Sequence, residues 1–83
     1  MRTSAHQALM RQAIRLSIEM MRRGQGGPFG AIVVKEGRVV GRGCNLVTSS
    51  NDPTAHAEIV AIRAACKRLM NFHLDECDLY TSC

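Results

Sequence analysis

The run Ala31-Ile32-Val33-Val34-Lys35 narrows the folds open to this chain more than any other stretch. It is short and β-branched at its centre, and Glu36-Gly37 closes it with turn chemistry before Val39-Val40 lead a second extended run towards Cys44-Asn45. Extended preference on both sides of a two-residue turn predicts a β-hairpin. On either side of the hairpin the period changes. Ahead of it, Met10, Ala13, Ile14, Ser17, Ile18 and Met21 recur at helical spacing behind Ser4-Ala5-His6-Gln7, which has the S-x-x-Q form of a capping box. That pattern predicts a helix from about Ala5 to Arg23, ended by Gly24, Gly26 and Gly27 and kept from resuming by Pro28. Behind the hairpin, Leu46 to Pro53 reads as a polar loop. Ile59, Ile62, Ala65, Cys66 and Leu69 then mark one face of a second helix, with Asp52 or Thr54 as its N-cap. Leu74 to Asp78 cannot hold a helix for long, and Leu79-Tyr80-Thr81 begins a third strand. The expected order is α-β-β-α-β.

At 83 residues, the chain is one domain at most and can bury only a modest core. With 46% hydrophobic and 22% charged residues and no internal repeat, it fits a soluble globular protein and excludes a disordered one. No stretch approaches the roughly 18 apolar residues of a membrane span, and the N-terminus lacks the apolar core of a signal peptide, so a cytoplasmic setting is expected. Cys44, Cys66, Cys77 and Cys83 are irregularly spaced and form no C-x-x-C pair. They read as reduced thiols, with Cys44, Cys66 and Cys77 as small buried hydrophobes. The net charge of +4 comes largely from Arg11, Arg15, Arg22 and Arg23 and from Arg63, Lys67 and Arg68, both sets spaced as solvated helix faces. With one Tyr, two Phe and no Trp there are no aromatics to interleave with the cations, which argues against a nucleic-acid partner. His6 and His73 are expected to be exposed.

The chemistry lies in Thr54-Ala55-His56-Ala57-Glu58-Ile59, where a histidine and a glutamate stand two residues apart at the start of a helix. In a helix interior such a pair does not share a face. In the first turn, side chains lean towards the N-terminus, so both can reach a cleft at the helix mouth. The unpaired N–H groups and positive dipole end there favour anions, by about 0.3 to 1 kcal/mol each. The zincin pattern H-E-x-x-H is excluded, because Ala57 follows His56 and Val60 stands where a second histidine is needed. What remains is H-x-E, which zinc nucleobase deaminases combine with a later P-C-x-x-C, the glutamate serving as acid and base and not as a ligand. On the residues alone the plainer readings stay open: His56 as a capping or surface residue, Glu58 as a complement to the dipole, Asn45 as a turn former and Phe29 as core.

The segments GGPFGAIVVKEGRVVGRGCN, SNDPTAHAEIVAIRAACKRL and LDECDLYTSC, in that order, resemble the N-terminal half of the cytidine/deoxycytidylate deaminase superfamily, on its bacterial guanine deaminase branch. The resemblance runs from Gly26 onward. Gly27-Pro28-Phe29-Gly30 and Thr81-Ser82-Cys83 favour that branch over the related tRNA adenosine deaminases. It implies a three-layer α-β-α fold with two helices on a mixed sheet, present as a partial α-β-β-α-β unit. It also implies a zinc enzyme that hydrolyses guanine to xanthine and ammonia, as a homodimer. By the same resemblance His56 is the zinc-binding histidine, Glu58 the proton shuttle and Asn45 the residue that hydrogen-bonds the base. Phe29 lies at the pocket wall, and the Ala57 N–H faces the purine carbonyl. In the family, T-S-C runs directly into E-P-C-x-x-C, whose two later cysteines complete the zinc site, and Cys83 matches the cysteine before that motif. Residues 1–83 are therefore expected to be the N-terminal part of a single deaminase domain, inactive alone with two of three zinc ligands absent. Two other functions stay open: adenosine deamination in tRNA, and a short non-catalytic interaction module that pairs its third strand with another chain.

Overall fold

The computed structural model describes residues 2–24 and 29–82. Helix α1 spans Arg2–Arg22, strands β1 and β2 span Gly30–Lys35 and Arg38–Cys44, a short α2 spans Val47–Ser50, α3 spans Ala57–Leu69, and β3 spans Cys77–Ser82. The hairpin forms where the turn chemistry places it. Glu36 and Gly37 take φ values of 51° and 77°, the pair of left-handed conformations that a two-residue turn needs to match the strand twist.

Helix α1 starts earlier than the S-x-x-Q box predicts. It has already begun at Arg2, so Ser4 and Gln7 lie within it. Its C-terminal end falls as expected: the Gly24 N–H donates to the Met21 carbonyl at 3.0 Å, with Gly24 at φ 66°. Gly26, Gly27 and Pro28, the rest of the predicted stop, lie outside the described residues.

The three strands pair as β2-β1-β3, with β1 antiparallel to both neighbours. Among the described residues the sheet is thus antiparallel throughout, where a mixed sheet was expected. β1 is covered on both faces, as its near-continuous burial demands. On one face Ala31, Val33 and Val40 meet Ala57, Ala61 and Ala65 of α3. On the other, Ile32, Val34 and Tyr80 meet Ala13 of α1, with Leu9, Leu16 and Val39 at the margin. Val39 and Val40 alternate between the two faces, so each core receives one valine, and the register shift between Val33 and Val34 turns Val40 and Gly41 to the same, α3-facing side.

Small residues sit at the centre of both helix–sheet contacts, and this alters the expected apolar faces. A Cβ on Gly30 would lie 2.5 Å from the Ala13 carbonyl oxygen and 2.9 Å from the Ser17 nitrogen. The backbone of α1 therefore presses directly on β1. Ala13 and Ser17 are buried beneath it, while Met10, Ile14, Ile18 and Met21 are pushed to the flank and stand 36% to 52% exposed. Helix α3 is docked in the same way. A Cβ on Gly43 would lie 2.5 Å from the Ala57 carbonyl oxygen, and one on Gly41 2.8 Å from the Ala65 Cβ. Its innermost stripe is consequently Ala57, Ala61 and Ala65, with Ile59, Ile62, Cys66 and Leu69 only partly buried. Cys44 is buried, Cys66 and Cys77 are half-buried, and all three are free thiols. His6 and His73 are exposed as expected, although His6 shares a hydrogen bond through Nδ1 with the hydroxyl of the buried Tyr80. No helix among the described residues is long and apolar enough to cross a membrane.

Candidate active site

The close seating of α3 on Gly41 and Gly43 fixes where its N-terminus opens. That end lies beside the last residues of β2 and β3 and the first of β1. There Phe29, Gly30, Asn45, His56, Ala57, Glu58, Thr81 and Ser82 line a cavity of about 230 Å³. The five residues singled out in the sequence come from three separate segments, and the fold brings all five to this one cavity.

The helix starts later than expected, and the difference shapes the site. Asp52 and Thr54, the expected N-caps, form a turn of their own: the Asp52 Oδ1 accepts the Thr54 N–H at 2.9 Å and the Thr54 hydroxyl at 2.7 Å. These bonds hold the Asp52 carboxyl below its usual value, with Arg63 a lesser contributor 3.8 Å away. With that acceptor engaged upstream, the N-cap passes to His56, at φ −69° and ψ 156°. The His56 imidazole makes no capping hydrogen bond. It stands exposed at the cavity, with Ala57 buried behind it and Glu58 half-buried beside it. The first N–H groups of α3 have no intrahelical acceptor and point out of this mouth.

Asn45 is oriented from both sides. Its backbone N–H donates to the Phe29 carbonyl at 3.3 Å, tying the end of β2 to the residue before β1. Its side-chain Oδ1 accepts the Val47 N–H at 3.0 Å, which leaves the amide NH₂ as its donor at the cavity. That Oδ1 bond also opens α2, a turn of helix in what the sequence reads as plain loop. Burial pushes the Cys44 thiol next to it above its ordinary value, so this cysteine is an inert core group.

The sequence reading missed Gly30, Thr81 and Ser82 as cavity residues. The Ser82 Oγ accepts the Gly30 N–H at 3.0 Å and donates to the Gly30 carbonyl at 3.3 Å. Only the T-S-C variant drew notice to Ser82, and nothing local in the sequence ties it to a glycine so far upstream.

His56 is the candidate metal ligand here. Among the described residues, no group of three or more His, Cys, Asp or Glu comes together that could hold a metal ion. A catalytic zinc site takes three protein ligands and a water. At the cavity the described residues offer His56 as a candidate for one of those three positions.

An α-β-α sandwich with an H-x-E pair at a helix mouth, facing an asparagine from the adjacent strand end, defines a deaminase-like class. Residues 3–83 match the family described as the cytidine and deoxycytidylate deaminase zinc-binding region, and the chain belongs to that family. The guanine deaminase of Bacillus subtilis is 54% identical over 78 residues, which cover 94% of this chain and 50% of that protein. The X-ray structure of that enzyme superposes with a TM-score of 0.91. A guanine deaminase from Nitrosomonas europaea superposes at 0.82 with 30% identity, over 90% of this chain and 44% of that one. The tRNA-specific adenosine deaminase of Aquifex aeolicus is 49% identical over 55 residues, 66% of this chain and 36% of that protein. The chain spans half the length of the Bacillus relative and a smaller share of the Aquifex one.

Proposed function

We propose that the cavity at the mouth of α3 takes a purine base, and that the whole protein hydrolyses guanine to xanthine and ammonia. The observation that carries this reading is the convergence of Phe29, Asn45, His56, Ala57 and Glu58 on one cavity of about 230 Å³, in a chain 54% identical to a guanine deaminase. Each group has work that suits its position. The Asn45 amide NH₂ donates to an acceptor on the base. The Ala57 N–H, at the first turn of α3, donates to the purine carbonyl, and Phe29 walls the ring. Glu58, half-buried at the same mouth, takes a proton from the attacking water, returns it to a ring nitrogen, and assists departure of the exocyclic amine as ammonia. The family implies one zinc ion per complete site. His56 is the ligand this segment offers, and the remaining donors come from outside the described residues.

A second reading, adenosine deamination in tRNA, rests on the Aquifex relative. Relatives of that kind match either a shorter stretch, 55 residues at 49% identity, or nearly the whole chain at 37%, against 54% over 94% of the chain for the Bacillus enzyme. Ammonia release from guanine and from tRNA, measured side by side on the complete gene product, separates the two. Release from tRNA alone overturns the guanine reading, and release from neither favours a non-catalytic module. The proposal extends to a cytoplasmic enzyme that assembles as a homodimer, which sedimentation of the same preparation checks.

A further inference from the structure

We propose that Ser82 is a positioning residue for the purine site: its hydroxyl clamps the Phe29–Gly30 wall in place across the cavity from His56 and Glu58. This rests on the purine reading of the cavity. Gly30 and Ser82 are the last partners of the β1–β3 ladder at the end that opens on the site. There a single side-chain oxygen serves both backbone groups of the glycine, accepting its N–H at 3.0 Å and donating to its carbonyl at 3.3 Å. The other sides of the same wall are already fixed. The Asn45 N–H holds the Phe29 carbonyl at 3.3 Å. The α1 backbone lies so close to Gly30 that even a Cβ would meet the Ala13 carbonyl oxygen at 2.5 Å.

β2 and α1 hold the wall on two sides and the β1–β3 ladder on a third, and the Ser82 hydroxyl adds two bonds to Gly30 at the open end of that ladder. Ser82 makes these bonds itself, so they are lost with its hydroxyl while the strand's apolar packing through Tyr80 is untouched. Threonine carries the same hydroxyl on a β-branched stem suited to a strand. The clamp is thus a matter of one oxygen and not of side-chain bulk. It contributes to substrate binding through the wall, without contact with the reacting atoms.

The test compares Ser82→Ala and Ser82→Thr with the parent in the complete gene product. In Ser82→Ala, KM for guanine rises about five- to tenfold while kcat changes less, because two hydrogen bonds to the wall are lost and no group at the reaction centre is. Ser82→Thr restores KM to near the parental value. Amide hydrogen exchange at Gly30 accelerates in the alanine variant and not in the threonine one, with Ile32 and Ala61 unchanged in both. A Gly30 exchange rate unaffected by Ser82→Ala overturns the clamp. Faster exchange with no change in KM overturns its role in positioning. A parent that turns over no guanine refutes the substrate reading instead, and Gly30 exchange still decides the clamp by itself.

Discussion

Gly43→Ala probes the contact on which the placement of the site depends. The added methyl would sit 2.5 Å from the Ala57 carbonyl oxygen and 2.9 Å from the Val60 Cβ, with the Ala61 nitrogen closer still. Ordinary contact between such atoms is about 3.5 Å or more, so strand and helix must part by about 1 Å. Two of the three neighbours are helix backbone, so no rotamer change relieves the clash. Overpacking of this kind costs about 1 to 3 kcal/mol, and a backbone neighbour puts the cost at about 2 to 3. In the complete gene product, at roughly 2 to 4 °C per kcal/mol for a domain of the Bacillus relative's size, the melting temperature should fall by about 4 to 12 °C. Gly37→Ala is the control. Its methyl meets nothing within 4 Å, and only its φ of 77° is strained, which costs about 1 kcal/mol. Urea and thermal unfolding by circular dichroism give the two free energies, and amide shifts of His56 and Glu58 report whether α3 has moved. If Gly43→Ala costs no more than Gly37→Ala and leaves those shifts in place, α3 is not seated on β2 as described and its mouth is positioned by something else.

Glu58→Gln in the complete gene product should cut ammonia release from guanine by about 10²- to 10⁴-fold with zinc content unchanged, since the amide keeps the size and loses the basic oxygen. Asn45→Ala should weaken guanine binding by about 1 to 3 kcal/mol, read by titration calorimetry, because a hydrogen bond to the base goes unmade. The turn before α3 should loosen in acid. The Asp52 carboxyl is held below its usual value by Thr54, so the stabilisation it lends is present above the ordinary carboxylate range and is lost as the pH falls through its lowered folded value. Thr54 amide exchange followed from about pH 5 down to about pH 2 checks this, and Asp52→Asn should flatten the response.

What the sequence determined by itself is whatever depends on neighbours along the chain. The Ile32-Val33-Val34 run and Glu36-Gly37 specify a hairpin, because β-branched preference and left-handed turn conformations are properties of a few consecutive residues. Gly24 ends α1 for the same reason. His56 and Glu58 were legible as a pair from their spacing at a helix start, and the family resemblance supplied Asn45, Ala57 and Phe29. The tertiary structure decided the rest. The N-cap fell to His56 because Asp52 spends its carboxylate on Thr54, a competition that spacing does not settle. The inner face of α3 is alanine, and Ile59 and Ile62 sit to its side, because Gly41 and Gly43 let the helix come down onto β2 until only small side chains fit. Periodicity marks an apolar face but not how closely another backbone will approach it. The pairing of β1 with β3, the hydroxyl of Ser82 on Gly30 and the bond between Tyr80 and His6 join residues far apart in the chain. Such contacts exist only after the sheet has closed, so no local pattern announces them.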